Sequence, residues 1–254
     1  HYAAMKRERA FTLVVTGCMA ERLRERMRER EPRIDYALGN FQKAAFGLLL
    51  DAAAAGRRLE TIEESPAFAF MPSHREPGSF SSFVPIMHGC DNFCSYCIVP
   101  YVRGREVSRD PSSIAAEIES AAAAGVREIT LLGQNVNSYR WRGLGGELDF
   151  AGLLTSIAPI ARSAGIGRVR FVSSHPKDLS DATIEAIASD DVFARHIHLC
   201  VQHGSDRVLE AMNRRYTRDS YTLLADRIRS RISGVTLSTD ILIGFPGETE
   251  EDVE

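Results

Sequence analysis

Three cysteines stand close together in one short polar segment. Cys90, Cys94 and Cys97 lie within eight residues, separated by three and then two other residues. A structural zinc site usually takes two separated pairs of ligands, and no second close Cys or Cys/His pair follows at such spacing. Three thiolates on one loop suit three irons of a 4Fe-4S cluster and leave the fourth iron without a protein ligand. We therefore predict an iron–sulfur cluster here, rather than zinc or three unrelated buried thiols.

The residues around these cysteines resemble the signature of the radical S-adenosylmethionine superfamily. That signature is C-x3-C-x2-C with an aromatic residue before the last cysteine, here Tyr96. The resemblance implies that Cys90, Cys94 and Cys97 hold the cluster and that its open iron binds the amino and carboxylate groups of S-adenosylmethionine. It also implies reductive cleavage to a 5'-deoxyadenosyl radical, with Tyr96 packed near the adenine and the protein orienting the cofactor.

Residues 81–254 alternate short β-type runs with helical runs, which is typical of a parallel sheet with crossover helices. Asp110-Pro111 predicts the start of the first of these helices, because it places an N-cap beside an N1 proline. The predicted strands are Phe83–Met87, Glu128–Leu132, Arg168–Val172, His196–Val201 and Val235–Ile243. The predicted helices are Pro111–Ala124, Phe150–Ser163, Asp181–Ala188 and Ser220–Ser230.

Unusual residues follow each predicted strand. The cysteine loop follows the first strand, and the others are followed by Gly133–Asn137, Ser173–Pro176, Gln202–Ser205 and Gly244–Glu248. In an α/β barrel such loops meet at the C-terminal rim, where active sites form. Each loop alone also has the composition of an ordinary turn. Taken together they predict a cofactor-binding rim that includes Gln134, Asn135, Ser174, Gln202 and Gly244.

The first 75 residues have a different pattern, that of a partial α/β unit. We expect strands at Phe11–Thr16 and Ile34–Leu38, with a charged helix at Ala20–Glu31 between them. Cys18 follows the first strand, a position that by itself is more typical of a small core residue than of a metal ligand. Residues 56–82 have the composition of a linker. The predicted domains are therefore residues 1–75 and 76–254.

Composition favours an enzyme and gives no general signal for nucleic acid. The chain has 254 residues, 44% of them hydrophobic, and a net charge of −3. A local basic run, Arg103, Arg105 and Arg109, suits either a phosphate or carboxylate ligand or a solvated turn. Five cysteines indicate a reducing compartment, and the longest apolar runs are too short for a membrane span, so we expect a cytoplasmic protein.

Further segments are similar to the methylthiotransferase family. They are Thr16–Ala20, Met87–Cys90, Cys97–Arg105, Val107–Arg109, Leu132–Tyr139, Ser173–Pro176, His198–Ser205 and Ile243–Glu248. Within that family they are most similar to the branch that modifies isopentenylated adenosine in tRNA. The resemblance implies a partial radical S-adenosylmethionine (β/α) barrel behind part of an α/β methylthiotransferase domain. The implied reaction inserts a methylthio group at C2 of N(6)-isopentenyladenosine beside the anticodon, with S-adenosylmethionine also providing the methyl group.

The same resemblance makes Cys18 a ligand of a second 4Fe-4S cluster that carries the sulfur. Its other two cysteine ligands belong before His1, so we expect the chain as printed to lack that cluster and to be inactive by itself. The final barrel strand and helix and the RNA-binding domain of the family also lie outside it. The implied partners are tRNA and an electron donor such as flavodoxin or ferredoxin, with no membrane, and we expect a monomer.

Three alternatives remain at this stage. Two are methylthiotransferases, one acting on threonylcarbamoyladenosine in tRNA and the other on a ribosomal protein, and the third is an iron–sulfur electron carrier. Two positions depart from the family pattern, since Cys200 replaces a usual Pro and His203 replaces a common Ser. We interpret Cys200 as a packing residue of its strand. His196 and His198 share one face of that strand, either as hydrogen-bonded core residues or near the cofactor.

Overall fold

The computed structural model describes residues 2–65, 68–143 and 146–254. Its strands are β1 (Val14–Thr16), β2 (Tyr36–Leu38), β3 (Ser81–Pro85), β4 (Met87–His88), β5 (Val107–Ser108), β6 (Glu128–Leu132), β7 (Arg140–Gly143), β8 (Gly146–Asp149), β9 (Arg168–Phe171), β10 (His196–His198) and β11 (Thr236–Ser238). Its α-helices are α1 (Tyr2–Met5), α2 (Cys18–Leu23), α3 (Glu25–Arg30), α4 (Phe46–Ala54), α5 (Val99–Arg103), α6 (Pro111–Ala123), α7 (Phe150–Ser163), α8 (Asp181–Ser189), α9 (Asp206–Ala211), α10 (Arg218–Arg231) and α11 (Glu250–Val253).

The chain forms two compact units. The first comprises the residues up to Met71 together with Ile98–Gly104, and the second comprises Pro72–Cys97 and Arg105–Glu254. In the first unit β1 and β2 pair in parallel. The predicted continuous helix over Ala20–Glu31 is wrong, because Arg24 has a φ of 37° and separates α2 from α3. Glu21 and Glu64 form ion pairs with the Arg24 side chain at this break.

The second unit is built on parallel strands that neighbour one another in chain order. Strand β6 pairs with β3 on one side and with β9 on the other. Isolated parallel bridges, one of them between Ser174 and Leu199, connect β9 to the β10 region, and β10 pairs with β11. This order confirms the predicted parallel α/β arrangement and is typical of an arc of a (β/α) barrel.

The last two strands are shorter than predicted. Strand β10 ends at His198 instead of Val201, and β11 ends at Ser238 instead of Ile243. Gln202 has a φ of 69°, which a strand cannot accommodate, and the backbone N–H of Val201 bonds to the Thr239 hydroxyl instead of a neighbouring strand. Both strands therefore end several residues before the candidate site residues Gln202 and Gly244, which lie in loops.

Helices cover the outer face of this sheet and supply the core of the second unit. Asp110 caps α6 by accepting hydrogen bonds from the N–H groups of Ser112 and Ser113, as the Asp110-Pro111 sequence predicts. Helix α6 packs on α7, and α7 packs on α8. The core includes side chains that are fully withdrawn from solvent, among them Ile114, Ile118, Ile129, Leu131 and Leu154. This packing fixes the strands whose C-terminal ends carry the site.

The structure contains elements that the sequence patterns do not predict. Strands β7 and β8 form a charged hairpin, in which Arg140 and Arg142 pair with Glu147. Helix α9 spans only six residues, too few to show a helical period. None of the helices in the described ranges combines the length and the apolar character required to cross a bilayer.

Candidate functional site

The three clustered cysteines lie on one bent loop after β4. Cys90 and Cys94 are each 9% exposed and Cys97 is half-buried, and the Cys97 N–H donates to the Cys94 carbonyl oxygen at 2.9 Å. Burial raises the pKa of the Cys90 thiol to about 11, with Glu106 and the other two cysteines adding to the rise. Cluster binding takes thiolates, so a bound metal would displace this proton. The loop carries the three thiols that the spacing predicts to be ligands.

A segment 120 residues away in the sequence holds this loop in place. The side-chain amide of Asn213 donates to the carbonyl oxygens of Asn92 and Phe93, at 3.2 and 2.9 Å. Ser95 donates through its N–H to Met212 and through its hydroxyl to Ala211, at 3.0 and 2.8 Å. We call residues 211–214 the loop clamp. It satisfies backbone groups that a tight, bent loop cannot pair within itself.

The last residue of the loop clamp points its side chain at a cluster cysteine. Arg214 Nη1 donates to Cys94 Sγ at 3.4 Å and lies 3.5 Å from the hydroxyl of Tyr96. Its Nε donates to the Tyr216 hydroxyl at 2.9 Å, and its Nη2 donates to the carbonyl oxygen of Cys200 at 2.9 Å. The predicted adenine-packing residue Tyr96 is 38% exposed beside this arginine.

The loops after β6 and β9 form a second part of the site. Asn135 and Ser174, both predicted rim residues, are buried, and Gln134 is half-buried. The Asn135 amide donates to Asp178 at 2.7 Å, which leaves its carbonyl oxygen free. Within the described part of the chain, five buried polar atoms of these loops have no hydrogen-bond partner: Gln134 Oε1, Asn135 Oδ1, Asn137 Oδ1, Ser174 Oγ and His175 Nε2. Native proteins rarely leave so many buried groups unpaired, so this group indicates a ligand.

His175 connects these unpaired atoms to the cysteine loop. Its ring lies edge-on to Tyr216, with the ring centres 5.5 Å apart, and Tyr216 in turn bonds Arg214. Burial, assisted by the charge of Arg214, lowers the pKa of His175 to about 2, so the ring is neutral. Nδ1 accepts from the Lys177 N–H at 3.3 Å, which leaves the proton on Nε2. An unpaired buried N–H donor therefore faces the site.

The two remaining predicted rim residues lie at the β10–β11 end of the sheet. The backbone of Gln202 pairs with Asp240 and Leu242 at 2.9 and 2.7 Å. Gly244 has a φ of 83°, a conformation that favours glycine, and its N–H donates to the carboxylate of Glu248. Cys200, two residues before Gln202, accepts a hydrogen bond from Arg214, which in turn contacts Cys94 in the cysteine loop. Gly244 contacts its own turn.

Cys200 is not the packing residue that its strand position predicts. It lies beyond the end of β10, and its thiol is 3.0 Å from His198 Nε2 and 3.5 Å from Asp240 Oδ2. His196 and His198 both bond the hydroxyl of Ser238, at 2.9 and 3.0 Å. The donor atoms of His198, Cys200 and Asp240 lie within 4.8 Å of one another, but their mutual hydrogen bonds account for that grouping.

The basic run after the cysteines does not form a free anion-binding surface. Arg109 is buried in an ion pair with Glu117, so its predicted availability to phosphate or a carboxylate ligand is wrong. Arg105 pairs with Asp91 at 3.0 Å and lies over the ring of Phe93. Arg103 belongs to the first unit, at the end of α5.

Cys18 opens helix α2 in the first unit. Its thiol is half-buried, and the side-chain amide of Asn40 approaches its Sγ at 3.9 Å. Asn40 is itself buried and donates to the carbonyl oxygen of Val102 at 2.6 Å. Gly17, with a φ of 106°, makes the sharp turn between β1 and this helix, so the thiol lies at the end of the strand, as the sequence predicts.

Several residues of this site carried no clear sequence signal. Asn137 and His175 lie in predicted rim loops, but nothing in the sequence singled them out. The helix that precedes Asn213, Arg214 and Tyr216 is too short to be recognised. The polar run after Met212 is the one sequence signal that could have drawn attention to this segment. Their approach to the cysteine loop is a long-range contact that periodicity does not reveal.

Several curated proteins similar to this chain have the same name. Over its full length the chain is 48% identical to the tRNA-2-methylthio-N(6)-dimethylallyladenosine synthase of Treponema denticola, of which it covers 59%. Over 98% of its length it is 45% identical to the protein of the same name from Syntrophomonas wolfei, of which it covers 56%. The chain thus spans somewhat more than half the length of these relatives.

Solved structures with the same fold include two enzymes of low sequence identity. The radical S-adenosylmethionine methyltransferase TsrM from Kitasatospora setae matches 95% of the chain with a TM-score of 0.73 and 19% identity, over 51% of its own chain. The cobalamin-dependent S-adenosylmethionine radical enzyme OxsB matches 94% with a TM-score of 0.65 and 12% identity, over 37% of its own chain. The family model described as the Radical SAM superfamily matches residues 84–254, well over half of the sequence. The chain therefore belongs to the radical SAM superfamily.

Proposed function

We propose that the chain is part of a tRNA methylthiotransferase that acts at C2 of N(6)-isopentenyladenosine beside the anticodon. Relatives of 43–48% identity along almost the whole chain carry the corresponding name. The structural observation that carries the proposal is a clamped loop with three cysteine thiols that Arg214 and Tyr216 connect to His175, one of the residues with the five unpaired buried polar atoms. A metal cluster and a polar organic cofactor are the two ligands that such a site needs.

The cysteine loop fits a 4Fe-4S cluster. Three thiols are the number that leaves one iron open, and the two most buried thiols come from a loop whose shape is fixed by Asn213 and Ser95. In this proposal Cys90, Cys94 and Cys97 hold the cluster. When bound, the cluster supplies the electron that cleaves S-adenosylmethionine and so produces the radical needed at an unactivated C–H bond.

The chain's own residues would bind and orient the S-adenosylmethionine. The carbonyl oxygens of Gln134 and Asn135 can accept from its N–H groups, and the Ser174 hydroxyl can donate or accept. Tyr96 offers a ring face beside the cluster loop, and Gln202 and Gly244 extend the rim toward β11. The buried surroundings of these groups would also exclude water, which protects a reactive radical from side reactions.

We further propose that Cys18 supplies one ligand to a second 4Fe-4S cluster in the whole protein. That cluster would carry the sulfur for transfer, and the partners would be tRNA and a reducing protein such as flavodoxin or ferredoxin. The proposal also includes a monomeric protein organised as the domains 1–75 and 76–254. It rests on the family resemblance and on the position of Cys18 at the end of β1.

The test is the nucleoside content of tRNA. A strain that lacks the gene should lose 2-methylthio-N(6)-isopentenyladenosine and accumulate the unmodified isopentenyl nucleoside, as measured by mass spectrometry. The full-length gene should restore it, whereas a gene with Cys94→Ala should not. Loss of a methylthio group from threonylcarbamoyladenosine or a ribosomal protein instead would support the corresponding alternative. If the methylthio content of tRNA and of ribosomal proteins is unchanged in the deletion strain, the protein is not a methylthiotransferase, and the result favours an electron carrier.

A further inference from the structure

Arg214 is a buried cation. The residue is only 5% exposed. Its side chain donates hydrogen bonds to the hydroxyl of Tyr216, the carbonyl oxygen of Cys200 and the thiol sulfur of Cys94. Its guanidinium also lies over the Tyr216 ring, 5.2 Å from the ring centre. These contacts orient the guanidinium fork rigidly, with Nη1 directed at the sulfur.

The positive charge of Arg214 lacks an ordinary counter-ion. Across residues 2–65, 68–143 and 146–254, no Asp or Glu carboxylate forms an ion pair with it. The other deeply buried arginine of this unit, Arg109, has the carboxylate of Glu117. A buried charge without a partner is costly, because neutral acceptors replace only part of the hydration that is lost. Of the groups that Arg214 contacts, the Cys94 sulfur is the one that a bound cluster would make anionic, and Nη1 lies 3.4 Å from it.

We infer that Arg214 is a positioning residue for the iron–sulfur cluster. Arg214 holds the Cys94 sulfur by a charge-assisted hydrogen bond and raises the reduction potential of the cluster. This inference rests on the proposed function, in which Cys94 is a cluster ligand. Hydrogen bonds to cluster sulfurs and the net charge nearby are two of the factors that set such potentials.

The direction of the effect follows from electrostatics. Reduction adds one negative charge to the cluster, and a nearby guanidinium in a poorly solvated site stabilises that added charge more than the oxidised form. Lysine would keep the positive charge but would lack the planar guanidinium, whose N–H groups bond Tyr216 and Cys200 while Nη1 faces the sulfur. Glutamine would keep a donor but not the charge. Both substitutions should therefore make the cluster harder to reduce.

The experiment is a redox titration of the full-length protein with its clusters reconstituted under anaerobic conditions and without S-adenosylmethionine. Cys18→Ala is introduced throughout, so that the reduced cluster at Cys90, Cys94 and Cys97 gives the EPR signal. Arg214→Gln and Arg214→Lys are compared with the parent protein and with Arg215→Gln. Arg215 is the matched control, because it is an adjacent arginine whose side chain is exposed.

We expect the midpoint potential to move to more negative values in Arg214→Gln, to move by a smaller amount in Arg214→Lys, and to stay unchanged in Arg215→Gln. Iron and sulfide content should equal that of the parent in the variants that are compared. If Arg214→Gln does not retain the cluster, Arg214→Lys decides the result, since it keeps the buried charge. A fully loaded Arg214 variant with the parent potential would overturn the inference and leave Arg214 a merely structural residue. Parent protein that forms no cluster at the three cysteines would instead refute the proposed function.

Discussion

Arg109 and Glu117 form an ion pair in which both side chains are almost completely buried, with exposed fractions of 5% and 3%. Arg109 also donates to the Pro85 carbonyl oxygen at 3.1 Å and to the Ser113 hydroxyl at 2.9 Å. Glu117 accepts in addition from the N–H of Ser73 at 2.9 Å. The pair thus joins the end of β3 to the first turns of α6.

We expect Glu117→Ala to lower the free energy of unfolding by about 3–5 kcal/mol, because it leaves the guanidinium of Arg109 buried and unpaired. The measurement is urea denaturation followed by the fluorescence of Trp141, the only tryptophan in the sequence. Arg227→Ala is the control, since the exposed pair of Arg227 and Asp181 is screened by solvent and should contribute little to stability. Equal effects of the two substitutions would contradict the role assigned to the buried pair.

The loop cysteines and Cys200 should differ in cluster binding. Replacing any one of Cys90, Cys94 or Cys97 by Ala should abolish the cluster, because two thiolates do not anchor it stably. Cys200→Ala should retain it, since that thiol contacts His198 and Asp240 and not the cysteine loop. Iron and sulfide analysis after anaerobic reconstitution makes the comparison. Loss of iron in Cys200→Ala equal to that in Cys94→Ala would show that Cys200 is also a ligand.

His175 should make the fold sensitive to acid. Its pKa falls from 6.5 to about 2 on folding, so below pH 6.5 the unfolded chain binds a proton that the folded chain does not. Stability from this group is therefore complete above pH 6.5 and decreases as the pH falls. Between pH 7 and pH 5 the expected loss is about 2 kcal/mol.

Urea denaturation at these two pH values tests this expectation. His175→Gln should remove most of the additional loss, whereas His74→Gln, at an exposed histidine that pairs with exposed Glu76, should leave it unchanged. The same pH dependence in the protein and in His175→Gln would mean that another group is responsible.

Replacement of Cys18 should affect methylthio transfer and not the cleavage of S-adenosylmethionine. In the full-length protein, Cys18→Ala should retain cleavage of S-adenosylmethionine to 5'-deoxyadenosine, because that step depends on the cluster at Cys90, Cys94 and Cys97. It should lose methylthio transfer. Both products are measured in one anaerobic reaction with prenylated tRNA. A purely structural cysteine predicts instead a stability loss of about 1 kcal/mol and an unchanged ratio of the two products.

The sequence predicted those parts of the fold that are determined by residues close to one another in the chain. The five parallel strands and the helices at Pro111, Phe150 and Asp181 followed from periodicity and capping, because buried faces and caps are determined by neighbouring residues. The spacing of the three cysteines also singled out the loop that carries Cys90, Cys94 and Cys97, and their role as cluster ligands stays a prediction. Contacts between distant segments did not follow, and Asn213 and Arg214 were therefore missed.

Two errors have specific causes. The helix predicted over Ala20–Glu31 has an unbroken charged pattern, but the backbone of Arg24 turns to a positive φ beside Glu21 and Glu64. Cys200 matched the strand alternation, yet β10 ends two residues earlier, so its thiol meets polar groups at the rim. In both cases tertiary contacts decide where a regular element stops.

The loop clamp also bears on the order in which the protein is assembled. Asn213 reaches Phe93 across 120 residues, so a nascent chain has exposed its three thiols long before it contains the residues that shape their loop. Until the parallel strands have closed, those thiols lie on a flexible segment, open to oxidation or to capture of stray metal ions. Correct insertion of iron and sulfide is thus a step for the folded chain, and a cell must keep these cysteines reduced during synthesis.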